Sequence, residues 1–497
     1  MNRRAYVIAF LSAYAAAPAA RAQLITVKSA PVADGGQFAF QPSANLGLGA
    51  LSIALADSSL DPFTNPAKGS RLSGTRVFGA PTFFSVSRDA GGGLTLPLGI
   101  SFSSGKWFSQ MLVAMQELDN SRTSDNVFPE LAATLDGNMQ IVDQKKVSRT
   151  NRYLHGLVGR RVADFSIAAS ASYWGLNALD GVELFYGGNT PVRESGGALD
   201  MRVGLFKESG RQSFEAIVLH NRTGVDQDVA FVRQLWDPSN RTFIVRPEVQ
   251  PNADRTRTTG LHLGYTRQLL SDTTWRVGAI VTGNRILQPS LPAYALPQVP
   301  ADAGHASAFN VGGGIARTVG QWTYGFDAIY EPIWSRTWVN ADRATETVQR
   351  QPIDVGTNTL NSQFRYSNAI ARAGVGVAIP IAKDKSLTLE TGGQVHAFHY
   401  NLDQWDAIQQ RQSKSTQSWN EWTRTWGASV RLVGAALRYR GSLTTGAGRP
   451  GFDQPDGFVA VDAVPSTSSF RPFGPFGLVF DDVRAFTHQI SLSVPIR

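Results

Sequence analysis

The stretch FSIAASASY, Phe165 to Tyr173, sets Phe165, Ile167, Ala169, Ala171 and Tyr173 on one side of an extended chain and Ser166, Ala168, Ser170 and Ser172 on the other. Successive side chains of a strand point to opposite faces, so this strict alternation reads as a half-buried strand. The same pattern returns along the chain. Trp275, Val277, Ala279 and Val281 oppose Arg276, Gly278 and Thr282. Trp322, Tyr324, Phe326, Ala328 and Tyr330 oppose Thr323, Asp327 and Glu331. Leu387 and Leu389 oppose Thr388 and Glu390, and Trp426, Ala428, Val430 and Leu432 oppose Ser429 and Arg431. The last strand sets Ile490, Leu492, Val494 and Ile496 against Gln489, Ser491 and Ser493.

The connections discriminate between two all-β classes. Tight turns at Ser104-Gly105-Lys106, Val162-Ala163-Asp164, Glu208 to Arg211, Ser271-Asp272, Val319-Gly320, Ala382 to Lys385 and Val433-Gly434 alternate with long polar stretches. Among the stretches read as loops are Asp119 to Arg149, Gly175 to Gly197, Arg222 to Arg257, Leu402 to Thr423 and Gly446 to Arg484. A soluble sandwich also alternates polar and apolar residues but has no reason to alternate short and long connections. A transmembrane barrel has short turns on one side and long loops on the other. Only Asp89 to Gly93 breaks the rhythm, being short on the long-loop side. Tryptophans at strand ends (Trp107, Trp174, Trp275, Trp322, Trp334, Trp338, Trp422 and Trp426) suit interfacial girdles. The expectation is a transmembrane antiparallel β-barrel of about 14–16 strands, with residues 75–497 as its wall.

Residues 1–22 read as a secretory signal peptide: basic Asn2-Arg3-Arg4, an apolar core from Tyr6 to Ala19, and Ala20-Arg21-Ala22 before the cut. The chain is therefore expected in a bacterial outer membrane. No later apolar run is long enough for a spanning helix, and a hydropathy window averages away the alternating strands of a barrel. With no cysteine, zinc–thiolate, dithiol and cysteine-nucleophile chemistry are excluded. The net charge of +8 includes the leader's three arginines, and the remaining basic residues are scattered, so no nucleic-acid partner is expected.

Between leader and wall, residues 23–74 stand apart. Asn45 to Leu72 (NLGLGALSIALADSSLDPFTNPAKGSRL) is rich in small residues. Ala50 to Ala56 predicts two helical turns, and Asp61-Pro62 and Asn65-Pro66 are expected to break any helix. From these residues alone two readings stay open: a plug at the mouth of a barrel, or a plain lead-in to the first strand.

The inward-facing charges form a lumen inventory: Glu215, His262, Arg276, Asp327, Glu331, Glu390, His396, Arg431, Arg438 and Arg440. With both signs present they are expected to pair across the interior, which disfavours strong ion selectivity. His396 and His399 stand three apart and so on opposite faces of a strand, a poor metal pair. No nucleophile elbow, metalloprotease motif or phosphate-binding loop is present, so neither an enzyme, a metal nor a cofactor is expected. Gly312-Gly313-Gly314 reads as close packing or a kink within a strand.

The run from Leu48 to Leu72, with LADSSLDPF followed by NPAKGSRL, resembles the N-terminal segment of the FadL-type superfamily of outer-membrane barrels, which includes barrels of the PorV type. The resemblance implies a hatch inside the barrel, anchored to the wall by Asn65-Pro66-Ala67, with Asp61 and Pro62 in the same turn. It implies passage of a small hydrophobic molecule and lateral exit beside a kink in an early strand, for which Pro97 and Ser104-Gly105 are the candidates. Phe470, Phe473, Phe476 and Phe480 would capture the ligand in a loop. A PorV-like barrel would instead dock a protein partner at its external loops, and a general porin would only conduct. The chain departs from the pattern in its terminal Pro495-Ile496-Arg497, where an aromatic is common, and in about sixteen strands where transport members have fourteen.

Overall fold

The computed structural model describes residues 24–120, 130–133, 139–142, 147–181, 192–288, 303–450 and 480–496, apart from positions 34, 89, 238, 240, 270, 271, 273, 342, 384 and 433. The leader and Phe470, Phe473 and Phe476 lie outside these residues, as does the side chain of Phe480.

Sixteen antiparallel strands close into a transmembrane barrel. In chain order β1 is Thr75–Gly79 continued as Thr82–Val86, β2 Gly92–Ser104, β3 Trp107–Asn120, β4 Val147–Val162, β5 Phe165–Leu176 and β6 Val192–Ser209. Then come β7 Gln212–Asp237, β8 Thr242–Gln268, β9 Trp275–Leu287, β10 Ala303–Val319 and β11 Trp322–Asn340. The circuit ends with β12 Asn358–Ala382, β13 Lys385–Asp406, β14 Arg411–Arg431, β15 Ala436–Pro450 and β16 Phe480–Ile496. Each strand pairs with its sequence neighbours, and β16 closes on β1 with Thr75 opposite Ile496 and Val86 opposite Ala485. Closure leaves no edge strand, which a bilayer requires of any sheet crossing it.

The alternation read from sequence is the wall's two faces. On β5, Phe165, Ile167 and Tyr173 face outward and Ser166, Ser170 and Ser172 are buried inside. On β2, Leu94, Leu96, Leu98, Ile100 and Phe102 are all exposed. Strand β11 carries Trp322 and Trp334 on the same outer face. At about 3.3 Å per residue and about 40° tilt, the separation between those rings is about 30 Å, one hydrocarbon thickness. Trp174 departs from the girdle expectation: its ring lies inside, stacked on Phe38 with centroids 5.2 Å apart. Replacing Leu98, near mid-height on β2, by arginine should lower unfolding stability in vesicles by about 2–4 kcal/mol. Reversible urea titration reads this, and no change would put that face in water.

Three sequence readings are corrected. Arg222 to Arg257 and Leu402 to Thr423 are not loops: β7 and β8 pair without interruption to Asp237 opposite Thr242, and β13 pairs with β14 to Asp406 opposite Arg411. These ladders rise past the membrane, where both faces meet water and apolar alternation disappears. Of the two kink candidates, Ser104-Gly105 is a hairpin turn. Pro97 pairs with Ala114 of β3 but lies opposite the interruption of β1 at Ala80-Pro81: β1 and β2 pair as far as Gly79 and Leu98 and resume at Thr82 and Thr95.

The third correction concerns the segment before the wall, which occupies the lumen. Ala50 to Ala56 is irregular, and the helical turns are Leu46–Leu48, α1 (Asp61–Thr64) and Pro66–Arg71. Pro62 does not break a helix but sits in the first turn of α1, whereas Asn65-Pro66 does end α1 and Pro66 opens the turn that follows, each proline standing where the missing N–H has no intrahelical partner to lose.

Candidate functional site

The lumen segment descends in two tiers. Its upper part, Leu24 to Gln41, seats on the wall through polar anchors and two aromatic clusters. Lys28 Nζ meets Glu421 Oε1 at 2.5 Å, both buried, and Tyr400 donates from its hydroxyl to the Ser29 carbonyl at 2.8 Å. Phe38 and Phe40 pack with Tyr153 and Trp174, and Phe40 stacks on Tyr153 with centroids 4.5 Å apart. On the opposite wall Phe364, Tyr366, Tyr400 and partly buried Trp419 enclose Ile25 and Val27.

The lower part folds around Asp57, a residue the sequence reading missed. Its carboxylate, 3% exposed, accepts from Ser43 Oγ at 2.6 Å and from the amides of Ala44 (2.8 Å), Asn45 (3.0 Å), Ser59 (3.0 Å) and Leu60 (3.0 Å). The signal was present: an aspartate before Ser-Ser-Leu satisfies amides two and three residues on, as an N-cap does.

Below Asp57 the segment meets the wall again. Asn65 accepts from the Ala67 amide at 3.0 Å and donates to Glu215 Oε2 on β7 at 2.9 Å. A Cβ on Gly204 of β6 would collide with the Asn65 side chain, so glycine there is required by close approach. Ala67 is fully buried among Phe108, Leu157, Ala168 and Phe206. Lys68 bridges Glu215 at 3.0 Å and Asp61 at 3.6 Å, while Arg71 reaches Asp61 at 3.3 Å and Glu208 at 2.9 Å. Burial pushes the Asp61 carboxyl up to about 6; Lys68 pulls it down, and Asp57 and Glu215 push it further up. Burial also opposes the charge on Lys68, but Asp61 and Glu215 outweigh it and hold that ammonium above its usual range. Arg202, also missed, caps α1 by donating to the Thr64 carbonyl at 3.0 Å and is itself held by Asp200 at 2.6 Å.

The remaining lumen charges divide between hatch and wall. Asp327 accepts from the amides of Ser52 (2.8 Å) and Ile53 (3.2 Å). Glu390 and Arg440 pair at 3.0 Å, and Arg440 also donates to the Ala44 carbonyl at 3.1 Å. Arg438 donates to Ser59 Oγ at 3.0 Å. His262 Nδ1 lies 2.7 Å from Thr282 Oγ1, and Glu331 accepts from Asn368 at 3.2 Å with His396 at 3.8 Å. Arg276 stands at the start of β9, opposite Gln268 and Ala316, and Arg431 at the end of β14, opposite Ser386 and Ala436. Glu390 with Arg440 and Glu331 with His396 thus pair within the interior, while Asp327 and Arg438 meet the lumen segment instead. A strand pattern shows which side chains point in, not what stands there to meet them. The glycine triplet resolves as packing: Gly312 and Gly314, with Gly278 beside them, leave a notch filled by Ile53, and Gly313 points out.

No protein-family model matches the chain, and no curated protein matches it. Among solved structures it is similar to the toluene transporter TbuX of Ralstonia pickettii, at 10% identity over 91% of this chain and 97% of that one, with a TM-score of 0.39. A FadL homologue of Pseudomonas aeruginosa matches at 12% identity over 91% and 98%, TM-score 0.42. CdiB of Escherichia coli scores alike, at 11% identity over 84% and 62%, TM-score 0.41.

Proposed function

We propose that the chain is a FadL-type outer-membrane channel passing small hydrophobic molecules, with residues 24–72 as its hatch. One observation carries this reading: the segment filling the lumen is lodged against the wall by side-chain contacts and, among the described residues, a single bridge at Val32 and Gly448, not by a continuous ladder. Asp327, the Asn65–Glu215 contact and the Lys68–Glu215 ion pair hold it to the wall, while Asp57 holds its own fold. Asn65, Pro66 and Ala67 act as its foot, with Asp61 and Pro62 in the turn above. The aromatic clusters around Phe38 and Tyr400 give an apolar ligand surface to follow as the hatch moves. The bilayer and a small hydrophobic ligand are the partners this reading needs.

The test is flux. Deleting residues 24–72 should raise the uptake of a small apolar probe into liposomes by at least tenfold, while the heat-dependent gel shift of the barrel stays. Unchanged uptake removes the gating role. Steady conductance of the intact chain without ligand would favour a general porin. Capture of a large secreted partner with no solute flux would favour a PorV-like docking barrel.

A further inference from the structure

The outer face of the wall carries a dense patch of positive charge. Arg222 of β7, Arg257 of β8, Arg285 of β9, Arg336 of β11 and Arg365 of β12 are all exposed. Four of them share a strand face with lipid-side residues and so point out of the barrel: Arg222 with Val218, Arg257 with Leu261, Arg285 with Val281 and Arg336 with Trp334. Arg365 stands opposite Trp334 and shares its face.

The ladder register gathers these side chains. Arg222 pairs with Arg257, Thr259 with Arg285, Arg285 with Ser307, Ser307 with Trp334, and Trp334 with Arg365. Strands of a closed barrel are staggered, so a register line climbs around the wall. The line from Gln212, at the foot of β7, runs through Arg267, Val277 and Ile315 to Phe326, above Trp322 at the foot of β11. That is a climb of about one residue per strand. With the climb removed, the five arginines stand within about two residues of the level of Trp334, or about 5 Å at the tilt of the wall. Trp334 marks the border of the hydrocarbon on the long-loop side, which in such barrels is the outer side. The arginines therefore form an arc at the head-group level of the outer leaflet. Beneath it Leu261, Val281, Phe309 and Val311 give acyl chains an apolar wall. At the upper end of β3, outside the arc, the outward residues are instead Glu117 and Asp119.

Among the described residues no carboxylate lies within ion-pair distance of any of the five. Arg285 donates to Ser307 Oγ at 3.0 Å and Arg336 to Asn361 Oδ1 at 3.3 Å, both neutral acceptors. The outward acids flanking the arc have partners of their own. Asp226 pairs with Arg255, Asp228 stands opposite Arg193, and Asp403 meets Lys414 at 3.5 Å and Gln412 at 2.8 Å. Arg222 opposite Arg257 is a like-charge pair, which destabilises a ladder until an anion screens it. All five residues are arginine, whose planar fork takes phosphate oxygens two at a time. They fall into two clusters, one on β7 to β9 and one on β11 and β12. At about 4.8 Å per strand the cluster centres are about 17 Å apart, farther than one phosphate reaches.

We propose that this arc binds an anionic glycolipid of the outer leaflet, an acylated sugar carrying two phosphates, one phosphate to each arginine cluster. Its acyl chains lie on the apolar wall beneath. The site is independent of what passes through the lumen.

The probe is lipid A, an acylated glucosamine disaccharide with a phosphate at each end. Native mass spectrometry of the full chain, released from detergent micelles, reads its adducts over a concentration series. The expected result is saturable binding that weakens at least tenfold in Arg222→Gln/Arg257→Gln and likewise in Arg336→Gln/Arg365→Gln. Arg152→Gln, which removes an exposed arginine outside the arc, should bind as the unaltered chain does. The heat-dependent gel shift reports the folding of each variant. The same disaccharide without phosphates, and phosphatidylglycerol with its single phosphate, should bind at least tenfold more weakly. Inorganic phosphate should not displace bound lipid A. Undiminished affinity in either paired variant, or an equal loss in Arg152→Gln, overturns the site. Equal binding of the dephosphorylated lipid overturns the role of the phosphates. Displacement by inorganic phosphate, or equal binding of phosphatidylglycerol, overturns the glycolipid as the occupant.

Discussion

Asp57→Ala is expected to free the lower hatch while leaving the barrel folded. The substitution removes the acceptor for four backbone amides (Ala44, Asn45, Ser59 and Leu60) and the Ser43 hydroxyl. Ser43, Asn45 and Leu60 are themselves buried, so water cannot reach the orphaned donors in place. Each unsatisfied buried donor costs about 1–3 kcal/mol, and the low end over the Ser43 hydroxyl and the Asn45 and Leu60 amides is about 3 kcal/mol. That is about a hundredfold in the closed-to-open ratio of the hatch. Hydrogen exchange read by mass spectrometry should show amides 43–60 losing protection by that order, with strands β2 to β16 unchanged. Apolar-probe uptake should rise with it. Asp57→Asn keeps one acceptor oxygen and should fall between. Unaltered exchange over residues 43–60 would show that the loop is held by its wall contacts alone.

The wall was legible in the sequence because lipid leaves a simple mark. Leu94, Leu96, Leu98 and Ile100 alternate with inward residues wherever the strand crosses hydrocarbon, and they are the exposed side chains of the folded barrel. The mark fades where a strand leaves the membrane. Ser413 to Ser418 are polar at every position, yet they pair in register with Gln404 to His399. Ladder hydrogen bonds do not depend on side chains, so no periodicity announces them.

The hatch was legible in part. Asn65-Pro66-Ala67 drew notice as a motif, and the structure seats it where Gly204 leaves room for the asparagine side chain. Asn65-Pro66 does end a helix, but each proline also begins a turn, which a reading of proline as a breaker alone leaves out. Asp57 and Arg202 escaped because their partners are backbone groups, which carry no residue identity to search for.

Gly314→Val should open the hatch from the wall side, and Gly313→Val should not. The two glycines are neighbours on β10 with opposite faces. A Cβ at 314 would lie 2.7 Å from Ile53 Cβ and 3.1 Å from the Ala54 amide nitrogen, and would run into the Asp327 carboxylate. A Cβ at 313 would meet nothing nearer than the Gly278 carbonyl at 3.8 Å. Ile53 is 3% exposed and packs with Ile280, Ile329 and Ile370, so expelling it forfeits about 1.5–3 kcal/mol of burial. It also pulls the Ser52 and Ile53 amides from Asp327, and hydrogen bonds to a charged group are worth about 1.5–3 kcal/mol each. Together these exceed about 4 kcal/mol, so the expected readout matches that of Asp57→Ala: lost amide protection, here centred on residues 50–55, and raised uptake. Two valines one residue apart thus separate a hatch effect from a wall effect. Equal behaviour of the pair would mean that Ile53 is not what holds the hatch against β9 and β10.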